Sequence, residues 1–156
     1  LLGNHPSIAA WVIFNEGWGQ FQTEDMTRIV RRLDPNRLID QGSGWFDQGG
    51  GDFSSLHNYF FKLFIRPERE RASVLSEFGG YSYREPGHCA KEKLYGYGIC
   101  KNKKDLEKRF LERWSGVRNL IPQGLSASIY TQWTDVEEEV NGVFTYDREV
   151  RKIEPF

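Results

Sequence analysis

Seven apolar residues in succession, Ile8 to Phe14, run directly into Asn15-Glu16. An apolar run without polar alternation reads as a strand covered on both faces, the pattern of a parallel sheet. It is far too short to span a membrane. Its end matters most, because closed barrels of parallel strands carry their chemistry at the carboxyl ends of the strands. A second segment repeats the design: Ala72-Ser73-Val74-Leu75-Ser76-Glu77 is mostly apolar, ends in a carboxylate and passes into Phe78-Gly79-Gly80. A lone Glu after a strand is commonly a solvated loop residue or a helix-start carboxylate. Two of them, each flanked by glycine and aromatic residues, match what glycosidic hydrolysis requires: one group to protonate the departing oxygen, one to attack or to activate water.

Between and after these segments the chain alternates strand and helix signals. Met26, Ile29, Val30 and Leu33 fall at helical spacing, with Asp34-Pro35 as the stop. Arg37 to Asp40 restarts as a short strand, and the five glycines from Gly42 to Gly51 predict a flexible loop over a site. Leu56 to Phe60 is the next strand end, with His57, Asn58 and Tyr59 at its tip. Tyr81 to Lys104 shows no periodicity and predicts a long functional or mobile loop. Asp105 is placed as the N-cap of a helix with Leu106, Phe110, Trp114, Val117 and Ile121 on its apolar face, closed by Pro122 and Gly124. Leu125 to Trp133 completes a set of five strands, at about 8–15, 37–41, 54–59, 72–77 and 126–133.

Strands separated by helical or long-loop crossovers predict an α/β fold with a parallel sheet. A full eight-stranded barrel takes ~250 residues. The 156 residues therefore predict an incomplete (β/α)8 TIM barrel, about strands 4 to 8, as a single partial domain over 1–156. The opening Leu-Leu-Gly, without Met, suggests a piece of something longer, and unpaired sheet edges predict self-association.

Formal charges nearly cancel at −1, so no electrostatic footprint for nucleic acid or an anionic membrane is visible. Aromatic residues make up 15% of the chain, and Trp18, Tyr59 and Trp133 fall at strand ends where burial alone does not require them. Flat rings with a polar handle suit the faces of sugars, although large core side chains account for most of the others. Cys89 and Cys100 have no CxxC spacing, and His5, His57 and His88 are scattered, so no structural zinc, no disulfide framework and no cofactor are expected. Localisation stays open.

Four strings, in order, carry a resemblance: Asn4-His5-Pro6-Ser7-Ile8 leading to Trp11 and Asn15-Glu16; Ser76-Glu77-Phe78-Gly79-Gly80; Tyr130-Thr131-Gln132-Trp133-Thr134-Asp135; and Asn141-Gly142-Val143-Phe144-Thr145-Tyr146-Asp147-Arg148. Together they resemble the catalytic barrel of glycoside hydrolase family 2, the β-galactosidases, β-mannosidases and β-glucuronidases. The resemblance implies a retaining β-glycosidase acting on β-galactoside-like substrates. Glu16, at the end of barrel strand 4, would be the general acid/base and Glu77, at the end of strand 7, the nucleophile. It also implies that Asn15 holds the sugar 2-hydroxyl, that His57, Tyr59 and Trp133 surround the ring, and that an upstream barrel half and β-sandwich domains accompany this chain. On that basis the fragment alone is expected to be inactive. The acidic stretch Glu138-Glu139-Val140-Asn141-Gly142 lacks the lysine that meets a uronic acid in the β-glucuronidases, and charge disfavours that substrate. Gly79-Gly80 stands where the metal-dependent β-galactosidases have a histidine, so no metal is implied.

Two alternatives use the same residues or the same fold. A carbohydrate-binding pseudoenzyme would keep the aromatics and Asn15 without turnover. A non-sugar hydrolase or interaction domain finds no GxSxG, CxxC or phosphate-type glycine loop to support it. Asp135 and the run Glu137-Glu138-Glu139 fit a solvated face as well as a site.

Overall fold

The computed structural model of the chain describes residues 2–154. In order these form β1 (Ala10–Asn15), α1 (Thr23–Leu33), β2 (Leu38–Ser43), β3 (Phe53–Asn58), β4 (Ala72–Gly79), β5 (Tyr81–Ser82), β6 (Gly98–Ile99), α2 (Lys103–Leu120) and β7 (Leu125–Thr131). The chain divides into two compact units. The first gathers the residues up to His57 with Phe64–Ser76 and Ile121–Ser128; the second gathers Asn58–Leu63, Glu77–Leu120 and the residues from Ile129 on. The boundary falls within β3, β4 and β7. Among the described residues no helix is long and apolar enough to cross a membrane.

The five expected strands are all present, but the expected incomplete (β/α)8 barrel is not the architecture observed. The strands lie in three small sheets, β1-β2, β3-β4-β7 and β5-β6, and none closes. β1 and β2 are parallel, with Ala10 opposite Leu38 and Asn15 opposite Ser43. β3 and β4 also run together, since Ala72 N–H donates to Asp52 O and Ser76 Oγ reaches Leu56 O. The segment entering β3 is tied to β2 at one residue: Asp52 N–H donates to Ile39 O at 2.7 Å, and the Asp52 carboxylate accepts Ile39 N–H at 2.7 Å.

β1 is not covered on both faces. None of its residues is buried, Val12 is 57% exposed, and a groove of about 420 Å³ lined by Leu2, Trp11, Val12, Ile13, Val30 and Leu33 opens beside it. One parallel neighbour and one helix are too few to enclose an apolar strand. α1 is held at its end by Asp34, whose carboxylate accepts Trp11 Nε1–H at 3.0 Å and Arg37 at 2.6 Å. The Trp11 bond, and then the Arg37 bond and charge, hold that carboxyl below the usual range against the opposing effect of burial. Glu24 and Asp25 in the first turn and Arg31 and Arg32 in the last complement the helix dipole.

The glycine-rich segment is also tighter than its composition suggests. β2 runs on to Ser43 with five of its six residues buried, and Gly50 N–H donates to Gln41 Oε1 at 3.2 Å. Arg71 then fastens the loop, donating to both Asp47 oxygens, both Glu68 oxygens and the carbonyls of Gly50 and Phe53.

In the second unit α2 begins one turn earlier than its expected cap. Asn102 is the N-cap, its Oδ1 accepting Asp105 N–H at 2.9 Å, while Asp105 reaches back to Lys101 N–H at 3.1 Å. Leu106 and Phe110 pack with Cys100 and Ile153, flanked by Tyr81, Tyr83, Tyr130 and Val143. Asp135 is not on a solvated face. It is 2% exposed and paired with Lys152, whose ammonium donates to Asp135 Oδ1 at 2.6 Å, Val140 O at 2.8 Å and Tyr83 O at 3.0 Å. Burial pushes the carboxyl up and the ammonium down, and each charge opposes the shift of the other.

Removing one partner of such a pair strands a buried charge. Lys152→Met is therefore expected to cost about 3–5 kcal/mol, and Asp135→Leu with Lys152→Met together markedly less, read from urea unfolding midpoints.

Candidate functional site

Glu16 follows the last residue of β1, and its N–H continues the β1-β2 ladder by donating to Ser43 O at 2.8 Å. Its φ of 51° then turns the chain through the left-handed region into Gly17. That turn sets the Glu16 carboxylate 2.8 Å from His57 Nδ1, while Ser43 Oγ stands 3.0 Å from His57 Nε2. The imidazole belongs to β3 and is fully enclosed. It fits because Gly44, at φ 92°, brings bare backbone against the ring, where a Cβ would collide with it. Behind Ser43 lies Asp40, 3% exposed, accepting Ser55 Oγ–H at 2.9 Å. Burial raises the Asp40 carboxyl, and the Ser55 and Ser43 hydroxyls work against that rise. Asn15, the intended holder of a sugar hydroxyl, ends β1 opposite Ser43.

Glu77 lies in β4 in the second unit, two residues before the strand ends rather than at its last position. Tyr59 donates its hydroxyl to Glu77 Oε2 at 2.5 Å, and Thr131 Oγ1, from the end of β7, reaches the same oxygen at 3.3 Å. The Tyr59 ring is 2% exposed and stacks on Tyr97 with centroids 3.7 Å apart and planes 4° off parallel. Tyr97 comes from the stretch between β5 and β6, so part of the expected loop of Tyr81 to Lys104 forms a wall behind Tyr59. Gly80 leaves room for Tyr97, and Gly79, at φ 91°, leaves room for Tyr130. Arg113 of α2 donates to Tyr59 O at 3.0 Å, Phe61 O at 2.5 Å and the Tyr81 hydroxyl at 2.6 Å, fixing the segment that carries Tyr59.

The structure thus gathers Glu16 with His57, and Glu77 with Tyr59. Trp18 and Trp133 stand apart from these bonds: they are 79% and 69% exposed, and Trp133 meets Phe144 at 5.0 Å. Ser43, Thr131 and Tyr97 were missed as contributors. Strand register across β1-β2 would point to Ser43, but nothing in a single sequence pairs Thr131 or Tyr97 with residues more than thirty positions away.

His88, which the sequence leaves scattered, meets two acids in the second unit. His88 Nδ1 is 2.7 Å from Asp147 and 4.0 Å from Glu149, and the ligating atoms of the three lie within 4.8 Å of one another. Asp147 also accepts Thr145 Oγ1–H at 2.6 Å and Glu149 N–H at 3.1 Å, which makes the group an ion-paired clamp. The hydrogen bond to Asp147 raises the His88 pKa, while Thr145 and then His88 draw the Asp147 carboxyl down to about 2.

A histidine raised on folding stabilises below its unfolded pKa and loses that contribution as pH rises through its folded value; a depressed carboxyl stabilises above its unfolded pKa and fails as pH falls towards about 2. The clamp should therefore be strongest in mildly acidic solution. NMR titration should place His88 above ~6.5, and Asp147→Asn should return it towards that value.

No protein-family model matches the chain, and a search of curated proteins returns no match.

Proposed function

We propose that the chain carries the acid/base and the nucleophile of a retaining β-glycosidase acting on β-galactoside-like substrates. One observation supports this above others: two carboxylates, Glu16 just after β1 and Glu77 near the end of β4, each have one oxygen fixed by a side chain from the end of β3 or the residue after it. A nucleophile and an acid must be held to within a fraction of an ångström to act, and hydrogen bonds from rigid strands do that.

In the first step Glu77 attacks the anomeric carbon and the glycosidic C–O bond breaks, with Glu16 delivering a proton to the departing oxygen. In the second, Glu16 takes a proton from water as the water oxygen bonds to the anomeric carbon and Glu77 leaves as carboxylate. Tyr59 holds the free carboxylate in place for attack and stabilises it again as a leaving group when the ester breaks. Asn15 would hold the 2-hydroxyl, with Trp18 and Trp133 offering apolar faces to the sugar.

Replacing Glu77 by Gly in the full-length protein should abolish hydrolysis, and added azide should restore an inverted glycosyl azide. Glu16→Ala should slow the first step with sugar leaving groups by about 10²–10⁴-fold and spare that step with glycosyl fluorides, because fluoride departs without a proton, while the second step slows for both. Azide products of the opposite stereochemistry would exchange the two roles. Sugar binding without covalent labelling of Glu77 by a 2-deoxy-2-fluoroglycoside would favour a binding protein.

A further inference from the structure

Behind the Glu16 carboxylate runs a buried line of polar side chains, all within the first unit, that the two-glutamate reaction does not use. Glu16 Oε1 lies 2.8 Å from His57 Nδ1, and His57 Nε2 lies 3.0 Å from Ser43 Oγ. The Ser43 hydroxyl is in turn hydrogen-bonded to the Asp40 carboxylate. Ser55 closes the far end, its hydroxyl donating to Asp40 Oδ1 at 2.9 Å. Asp40, Ser43 and Ser55 are only 3%, 3% and 4% exposed, so little water reaches them to offer other partners.

Such a line has a direction. A neutral imidazole has one N–H and one bare nitrogen, a serine hydroxyl has one proton to give, and a carboxylate only accepts. With Asp40 ionised, Ser43 directs its proton at Asp40, so His57 Nε2 must carry the hydrogen that Ser43 Oγ accepts. Nδ1 is then bare, and Glu16 is the donor across the bond between them. An amide at position 40 reverses the order. Its NH2 group can donate to Ser43, Ser43 then donates to Nε2, and the imidazole proton moves to Nδ1.

We propose that Asp40 is a positioning residue for the acid/base: through Ser43 it fixes the His57 tautomer with the proton on Nε2, and so keeps Glu16 the donor in its bond to Nδ1. The proposal rests on the reading of Glu16 as acid/base. In the first step the Glu16 proton passes to the departing oxygen. The carboxylate left behind faces a bare nitrogen, and the pair regains its donor when Glu16 takes a proton from water in the second step. The opposite tautomer would donate to the carboxylate and hold Glu16 as an acceptor, the same fault that a misplaced imidazole proton causes in a serine-protease triad.

The test uses the full-length protein with nitrogen-15-labelled histidine. Long-range proton–nitrogen correlation should show wild-type His57 neutral with its proton on Nε2, and Asp40→Asn should move that proton to Nδ1. Asp40→Asn should also lower kcat/KM for lactose about tenfold more than for β-galactosyl fluoride, because kcat/KM reports the first step and fluoride departs without a proton. Should Asp40→Asn misfold by near-ultraviolet circular dichroism, Ser43→Ala cuts the line at its middle, with the same tautomer change and the same split between substrates expected. A proton on Nδ1 in the wild type, the same tautomer in wild type and variant, or an equal fall on both substrates overturns the proposal. If the wild-type protein turns over neither substrate, the glycosidase reading fails by itself, and the tautomer exchange alone decides whether Asp40 governs His57.

Discussion

His57 is the residue on which the first unit's chemistry turns. Its ring brings a side chain from β3 to the ends of β1 and β2 at once, reaching Glu16 with one nitrogen and Ser43 with the other. Two backbone features make this possible. The left-handed turn at Glu16 aims the carboxylate back at the ring, and Gly44 removes the side chain that would occupy the ring's place. An imidazole buried this fully needs partners for both nitrogens, because an unsatisfied polar atom away from water costs about 1–3 kcal/mol.

Much of the local structure was legible because it depends on neighbours in sequence. The apolar run before Glu16, the segment before Glu77, the Asp34-Pro35 stop and the spacing of Leu106 and Phe110 all became elements of the expected type. What failed depends on competition between distant groups. The barrel expectation assumed one continuous parallel sheet, whereas the strands pair as three small ones. Asp105 looks like a cap, yet Asn102 has the same chemistry three residues earlier and wins, leaving Asp105 to complete the capping pair. Asp135 sits beside a run of glutamates and reads as a solvated face as readily as a site, whereas Lys152, seventeen positions on, holds it inside.

The candidate site divides in the same way. Glu16, Glu77, His57 and Tyr59 could be chosen from strand-end positions, since a strand fixes where its last side chains go. Their partners could not, because Thr131 and Tyr97 are recognisable only once the strands and the stacked tyrosines are in place. Glycines were the most misleading signal. Between Gly42 and Gly51 they suggested slack, whereas several mark close approach, of His57 to Gly44, of Gln41 to Gly50 and of Ile39 O to Gly51.

The arginine fork on α2 has a dynamic consequence. Arg113 binds the carbonyls of Tyr59 and Phe61 and the Tyr81 hydroxyl through a planar group whose donors point in fixed directions, a geometry that the ammonium of lysine does not reproduce. The short segment 58–63 is held from within by Asn58, which donates to Lys62 O and accepts from Phe61 N–H, and from α2 by Arg113. Fraying of α2 around Arg113 would loosen the segment that carries Tyr59, and deuterium uptake in the middle of that helix would report on how firmly Glu77 keeps its hydroxyl partner.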